Sequence, residues 1–493
     1  LSANPRNICL GPVFFIQTPE PLFMNDHPPF GTEHDALPLS RRAMLQRSGL
    51  GLGALSLATL LGENLLGDRV QAAATASLVP KEPHFKAKAK RIIQIFAYGA
   101  PSQVDTWDPK PALAKYANQA LPDLRGKAFP SPFQFKKHGQ SGIEVSEVFP
   151  KLGEHVDEMA VIRSLYTDIP AHEVAQIFMN TGSLRLSRPS LGSWLLYGLG
   201  STNQNLPGFM ALRNGGAQPS MTESCSASFL PGVYAGTQIS TAKLKPDEIL
   251  ENLRNPFMGI KDQRKQLDFV SRLNSQHSAN LQHDAQLEAR LQAFEMAFKM
   301  QTEATDAFDL AKESTQTREL YGDTSLGNQL LLARRLVERG VRVVQVWHGS
   351  WDMHNDLEGN MTKRAAEVDQ PAAALLSDLK ARGMLEDTLV LWGGEFGRTV
   401  TFDNNGNEKP GRDHNNKGFC CWMAGGGVKG GTVYGATDEF GASATVDRVH
   451  VHDFHATLLA LMGFDHTRLV YNVNGRDFRL TNVSGNVIKA VLA

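Results

Sequence analysis

The chain has 493 residues, with Lys+Arg 50 against Asp+Glu 51, 42% hydrophobic and 20% charged residues, so it is a folded globular protein large enough for one big α/β domain. The balanced charge leaves no basic field to hold a polyanion, and no nucleic-acid partner is expected. Four cysteines (Cys9, Cys225 and the adjacent Cys420 and Cys421) do not make a disulfide framework.

Residues 1–39 read as an untranslated or disordered leader, with Met24 the better start of translation. Residues 40–76 carry the parts of a twin-arginine (Tat) signal segment. Arg41-Arg42 precedes a Gly- and Leu-rich apolar run from Leu50 to Leu66, and small residues Ala72-Ala73-Ala74 follow as a cleavage site. Gly51, Gly53, Gly62 and Glu63 interrupt the run and make it too weak for a membrane span; no later segment is long and apolar enough to cross a bilayer. The expectation is an exported protein, periplasmic or extracytoplasmic, with no transmembrane segment in its mature chain. Residues 77–90 form a basic, Pro-containing linker, and the fold is expected to occupy 91–493.

Ile92–Phe96 reads as a buried first strand running into the loop Gly99-Ala100-Pro101, and Met159–Ser164 as a second strand followed by a helix over Ala171–Thr181. The β-rich runs Val341–Trp347 and Thr388–Trp392 each follow a helical stretch, Leu330–Arg339 and Ala365–Lys380 respectively. This alternation predicts a mostly parallel sheet with helices on both faces. Residues 260–312 differ: they are polar and helix-favouring, with Leu287, Leu291, Phe294 and Phe298 at helical spacing, and read as a helical insertion that packs on the sheet or forms a partner surface. Gly425-Gly426-Gly427 lacks a following Gly-Lys-Ser/Thr and reads as a turn after the strand Phe419–Met423, not as a phosphate loop.

In open α/β sheets ligands sit beyond the carboxyl ends of the strands, and metal-ligand residue types recur at those positions here. His348, Asp352, His354 and Asp356 follow Trp347; Glu395 and Arg398 follow Trp392; Asp413 and His414 precede the strand Phe419–Met423. Carboxylates and imidazoles converging from several strand ends suit a divalent cation, and the mixed set favours Zn²⁺ or Mn²⁺ over Ca²⁺. Asp352, His354 and His414 are the expected ligands. Glu395 either ligates or orients a ligand, and Asp413 can fill either role. The planar fork of Arg398 suits a tetrahedral anion. His450, His452 and His455 form a further group, left out of the site because Asp453 reads as a helix N-cap there.

The order of these elements resembles the alkaline phosphatase superfamily, which includes sulfatases. Asp352 and His354 match its Asp/His pair after one strand, Glu395 its acidic position after the next, and His414 its final His. Closer still is a resemblance to a twin-arginine-exported, sulfatase-like family of unknown function. It rests on Gly99-Ala100-Pro101-Ser102 leading to Asp105, on Trp351-Asp352-x-His354, and on Gly394-Glu395-Phe396-Gly397-Arg398-Thr399. The resemblance implies an alkaline phosphatase-like three-layer sandwich and a metal centre. It implies Asp105, with Asp108 competing for the place, as a stand-in for the first-strand Asp ligand, and places His172, nine residues before Thr181-Gly182, at the nucleophile position. A His at a helix start has its charged form disfavoured by the dipole, so it can be nucleophilic or ligating. The departures are specific: no Cys-x-Pro-Ser-Arg run exists, so a formylglycine mechanism is unsupported, and Phe396 stands where a second metal's ligand is expected. The resemblance therefore implies one metal site in an exported hydrolase of an anionic phosphate or sulfate ester. The alternative is a non-catalytic metal-containing binding or scaffold protein of the same fold.

Overall fold

Strand β1, Arg91–Ala97, alternates two apolar surfaces, as a strand buried on both faces must. Ile93 and Ile95 belong to one core cluster and Ile92 and Phe96 to the other. In the computed structural model the described residues are 78–184, 188–215, 219–243, 246–249, 257–280, 285–302, 305–403 and 408–493. The leader, the signal segment and Cys9 lie outside them.

The elements that build the domain are, in chain order, β1; β2, Met159–Tyr166; α1, His172–Thr181; α2, Leu191–Leu199; β3, Phe209–Arg213; and β4, Thr237–Ser240. Then come α3, Ile260–Asn280; α4, Ala285–Thr302; α5, Ser325–Glu338; β5, Val343–His348; α6, Leu357–Ala381; and β6, Thr388–Gly393. The last are β7, Phe419–Ala424; β8, Thr432–Tyr434; β9, Val449–His450; α7, Val451–Leu461; β10, Tyr471–Val473; and β11, Arg476–Phe478. Nine strands form one sheet in the order β8-β2-β7-β6-β1-β5-β3-β4, with β9 also on β2. The pairings are parallel except for those of β7, which runs antiparallel to both β2 and β6. The result is a mixed α/β fold with a central, mostly parallel sheet.

Helices cover both faces. Leu330 and Leu336 of α5 and Leu375 and Leu379 of α6 pack with Ile93 and Ile95, while Phe178 of α1, Trp194 of α2 and Leu458 of α7 pack with Ile92 and Phe96. The insertion is helical as expected. Ala297 and Met300 of α4 join the core on the α5/α6 side, whereas Leu291 and Phe294 stay half-buried. Arg264 of α3 and Glu295 of α4 tie the two helices by a bidentate ion pair at 2.5 and 2.7 Å. The three cysteines among the described residues, Cys225, Cys420 and Cys421, are buried free thiols. No described helix is long and apolar enough to cross a membrane.

One local expectation is corrected. The N-cap of α7 is His450, not Asp453; its Nδ1 accepts from the His452 backbone N–H at 3.3 Å. Asp453 stands three residues on, and its carboxylate accepts the His450 backbone N–H at 3.0 Å, the reciprocal half of a capping box.

Candidate metal centre

The parallel strands β1, β5 and β6 deliver their loops to one edge of the sheet, and α1 begins there after β2 ends. Gly99, just beyond β1, takes φ +98°, and a Cβ on it would lie 2.6 Å from the Trp351 backbone nitrogen; only glycine lets the loops after β1 and β5 approach so closely. Gly411 is similarly confined, since its Cβ would meet the His354 carbonyl carbon at 2.2 Å. Past β6, Gly397-Arg398 pairs antiparallel with His414-Asn415, so that Arg398 lies opposite His414. This two-residue ladder carries His414 back to the strand ends.

Three imidazoles from these elements lie around one carboxylate oxygen. Asp352 Oδ1 lies 2.9 Å from His354 Nε2, 3.2 Å from His172 Nε2 and 3.4 Å from His414 Nε2. The Nε2 atoms of His354 and His414 are 3.1 Å apart. His172 Nε2 is buried and makes no hydrogen bond, with Asp352 Oδ1 its near neighbour.

The other ring nitrogen of each histidine is taken by an oxygen. His172 Nδ1 donates to Glu395 Oε1 at 2.6 Å, His354 Nδ1 to Asp403 Oδ2 at 2.5 Å, and His414 Nδ1 to the Pro170 carbonyl at 2.9 Å. With Nδ1 carrying the proton in each ring, the three neutral imidazoles turn bare Nε2 lone pairs towards one another and towards a carboxylate oxygen. Such a set of acceptors needs a cation among them, either a metal ion or, where no metal is bound, a proton on an imidazole. Ligands at about 2.0–2.1 Å from a tetrahedral Zn²⁺ stand roughly 3.3 Å from each other, close to the separations of 2.9, 3.1, 3.2 and 3.4 Å here. The donor set therefore fits a divalent metal. Two overlapping trios can hold one: His172, Asp352 and His414, and His354, Asp413 and His414.

Charge at the centre follows the same geometry. Burial opposes a proton on His172, but Asp352 and Glu395 outweigh it and push its pKa up to about 9 when no metal competes. Burial also works against charge on Asp352, yet His172, His414 and Arg398 hold its carboxyl well below the usual carboxylate range.

The structure brings together His172, Asp352, His354 and His414, with Glu395 directly behind His172. Glu395 is fully buried and also accepts from the Gly99 backbone N–H at 2.9 Å and from Gln176 at 3.1 Å. Asp413 stands at the rim, largely exposed, with Oδ1 3.9 Å from His354 Nδ1. Arg398 is buried; it donates to Asp352 Oδ1 at 2.6 Å, to the Ala100 carbonyl at 3.0 Å and to the Gly99 carbonyl. Asp105 is not brought to the cluster. Both its oxygens are taken by Arg412, at 2.7 and 3.1 Å, and Ser102 Oγ adds a third bond at 2.5 Å. Phe396 stacks on His172 with ring centroids 4.7 Å apart and so walls the centre. Sequence reasoning missed Asp403, the Pro170 carbonyl and Gln176. Only Gln176 left a signal, standing four residues after His172 on the same face of α1.

The fold and cluster define a three-layer α/β protein with a histidine–carboxylate centre at the carboxyl edge of its sheet. The chain belongs to the family described as "Protein of unknown function (DUF1501)", whose model matches residues 89–492. No curated protein matches it. Among solved structures it is similar to the PsFucS1 sulfatase from Pseudoalteromonas sp., at 12% identity and TM-score 0.34, covering 76% of this chain and 68% of that one. It is also similar to a protein in the alkaline phosphatase superfamily from Vibrio parahaemolyticus, at 11% and 0.35, over 78% and 69%. A third is the C-terminal periplasmic domain of EcEptC from Escherichia coli in complex with Zn, at 10% and 0.33, over 81% and 96%. Scores this low carry no weight of their own, and the fold rests on the strand order above.

Proposed function

We propose that this chain is an exported, metal-dependent hydrolase of a phosphate or sulfate ester. The observation that supports it best is the convergence of three oxygen-backed imidazoles on Asp352 Oδ1 at the edge of the sheet where substrates enter. His172, Asp352, His354 and His414 hold the cation, Zn²⁺ or Mn²⁺ by the chemistry of the set. A cation there supplies Lewis acidity towards a phosphoryl or sulfuryl oxygen.

The chain's own residues do the rest. Glu395, Asp403 and the Pro170 carbonyl hold each ring in one tautomer, and Arg398 orients Asp352. Asp413, exposed beside His414, is placed to accept a proton from water. Both His172 nitrogens face carboxylates, which favours the ligand role over the nucleophile role for it. Export through the paired arginines Arg41-Arg42 is part of this reading.

A second reading has its own support. The Arg398 guanidinium is spent on Asp352 and on backbone carbonyls, so it is not presented to an anion. That suits a metal-containing binding protein without catalysis.

The test is turnover of a panel of aryl phosphate mono- and diesters and aryl sulfates by wild type and His172→Ala, with metal content measured alongside. A ligand role predicts that metal occupancy and turnover fall together. Turnover lost by about 100-fold with metal intact restores His172 as an acid–base or nucleophilic group, and no turnover by metal-loaded wild type favours the binding protein.

A further inference from the structure

At the far end of α1 from His172 lies a cavity of about 420 Å³ with Thr181 and Gly182 in its wall. The ten-residue helix puts roughly 15 Å between the two ends, so this is not the histidine centre. Three arginines from separate places in the chain line the cavity: Arg188 ahead of α2, Arg476 in β11, and Arg479 just past it. The guanidinium of Arg188 lies 4.0 Å from the Phe478 ring centroid and that of Arg476 lies 4.6 Å from it, so two cations share one aromatic ring. Among the described lining residues Asp168 is the sole carboxylate, and its Oδ2 is 3.3 Å from His450 Nε2.

The helix's own carbonyls do not explain this gathering of positive charge. They are met by histidines: His452 Nε2 donates to the Gly182 carbonyl and His455 Nε2 to the Met179 carbonyl, each at 2.8 Å. The start of α2 adds to the positive field, since Arg188 and Pro189 lead directly into its N-cap Ser190. Among the described lining residues three guanidinium groups face one carboxylate, and like charges gathered around a concavity favour an anion. Planar forks match the oxygens of a phosphate or sulfate. The volume lies within the range of small-molecule sites, about 300–1,000 Å³, and leaves room for an organic body beside the charged group. Phe178 and Trp194 supply an apolar wall for it.

We propose that the cavity bounded by Arg188, Arg476 and Arg479 is an anion-binding site, separate from the histidine centre, that takes a small molecule bearing a phosphate or sulfate group. The site stands whether or not the histidine centre is catalytic.

The test is calorimetric titration of the purified protein with inorganic phosphate, inorganic sulfate and glucose 6-phosphate. Wild type binds saturably, Arg188→Gln and Arg479→Gln each weaken binding by about tenfold, the worth of one charge-assisted hydrogen bond, and His354→Ala, which removes the histidine centre, keeps one saturable site that still depends on both arginines. On the wild-type protein, phosphate also protects Arg188 and Arg479 from phenylglyoxal in peptide mass spectrometry, a readout that needs no substitution. Absence of saturable binding, unchanged affinity in both arginine variants, loss of binding in His354→Ala, or unprotected arginines would each overturn the proposal.

Discussion

Two groups of three histidines stand at opposite ends of α1, and they differ in where each ring sends its nitrogens. At the sheet edge, Nδ1 of His172, His354 and His414 goes to an oxygen and the three Nε2 atoms converge on Asp352. Beyond the helix C-terminus, Nε2 of His452 and His455 is spent on backbone carbonyls, and their Nδ1 atoms are buried without a partner. Carboxylates push His172 up to about 9; burial drives His455 down to about 3 and lowers His452. A count of histidines does not distinguish a metal centre from a helix-end cap. The destination of the second ring nitrogen does.

That contrast is most exposed to substitution behind the ligands. Asp403→Asn and Glu395→Gln keep the shape while weakening the carboxylate that backs a ring, and each should lower metal affinity by about 10–100-fold. His452→Ala, in the other group, should leave metal affinity unchanged. Metal titration of the three variants against a chromophoric chelator checks this, and equal losses in all three would erase the distinction.

A smaller effect sharpens the other side. His455 is fully buried with a folded pKa of about 3, below the usual 6.5, so the unfolded chain takes up a proton in a range where the folded chain does not. Stability from this group is complete above pH 6.5 and is lost as the pH falls towards 3. The loss between pH 7 and pH 5 should be about 2 kcal/mol. His455→Gln, which cannot titrate there, should flatten that slope in denaturant unfolding at the two pH values. An unchanged slope would mean that another group governs it.

Much of the fold was legible because β1, β5 and β6 are buried on both faces and therefore read as apolar runs. The direction of β7 was not, since Phe419–Ala424 is equally apolar either way. Asp352, His354 and His414 were legible as polar residues close to such runs. Asp105 misled: its partner Arg412 lies 307 positions away, and nothing local reveals a fully buried ion pair. Asp403 reaches His354 because its backbone N–H pairs with the Gly411 carbonyl at 3.0 Å, and Pro170 contributes only a carbonyl, a group every residue carries. Asp453 resembles an N-cap in sequence because it caps α7 reciprocally with His450, three residues before it.

On this account the converging Nε2 atoms and Asp352 Oδ1 hold a divalent cation. Elemental analysis of the wild-type protein, purified without chelator, tests it most directly. About one Zn or Mn per chain is expected, falling to a trace in His354→Ala. Metal-free protein whose unfolding transition is the same with and without added chelator and metal would contradict it.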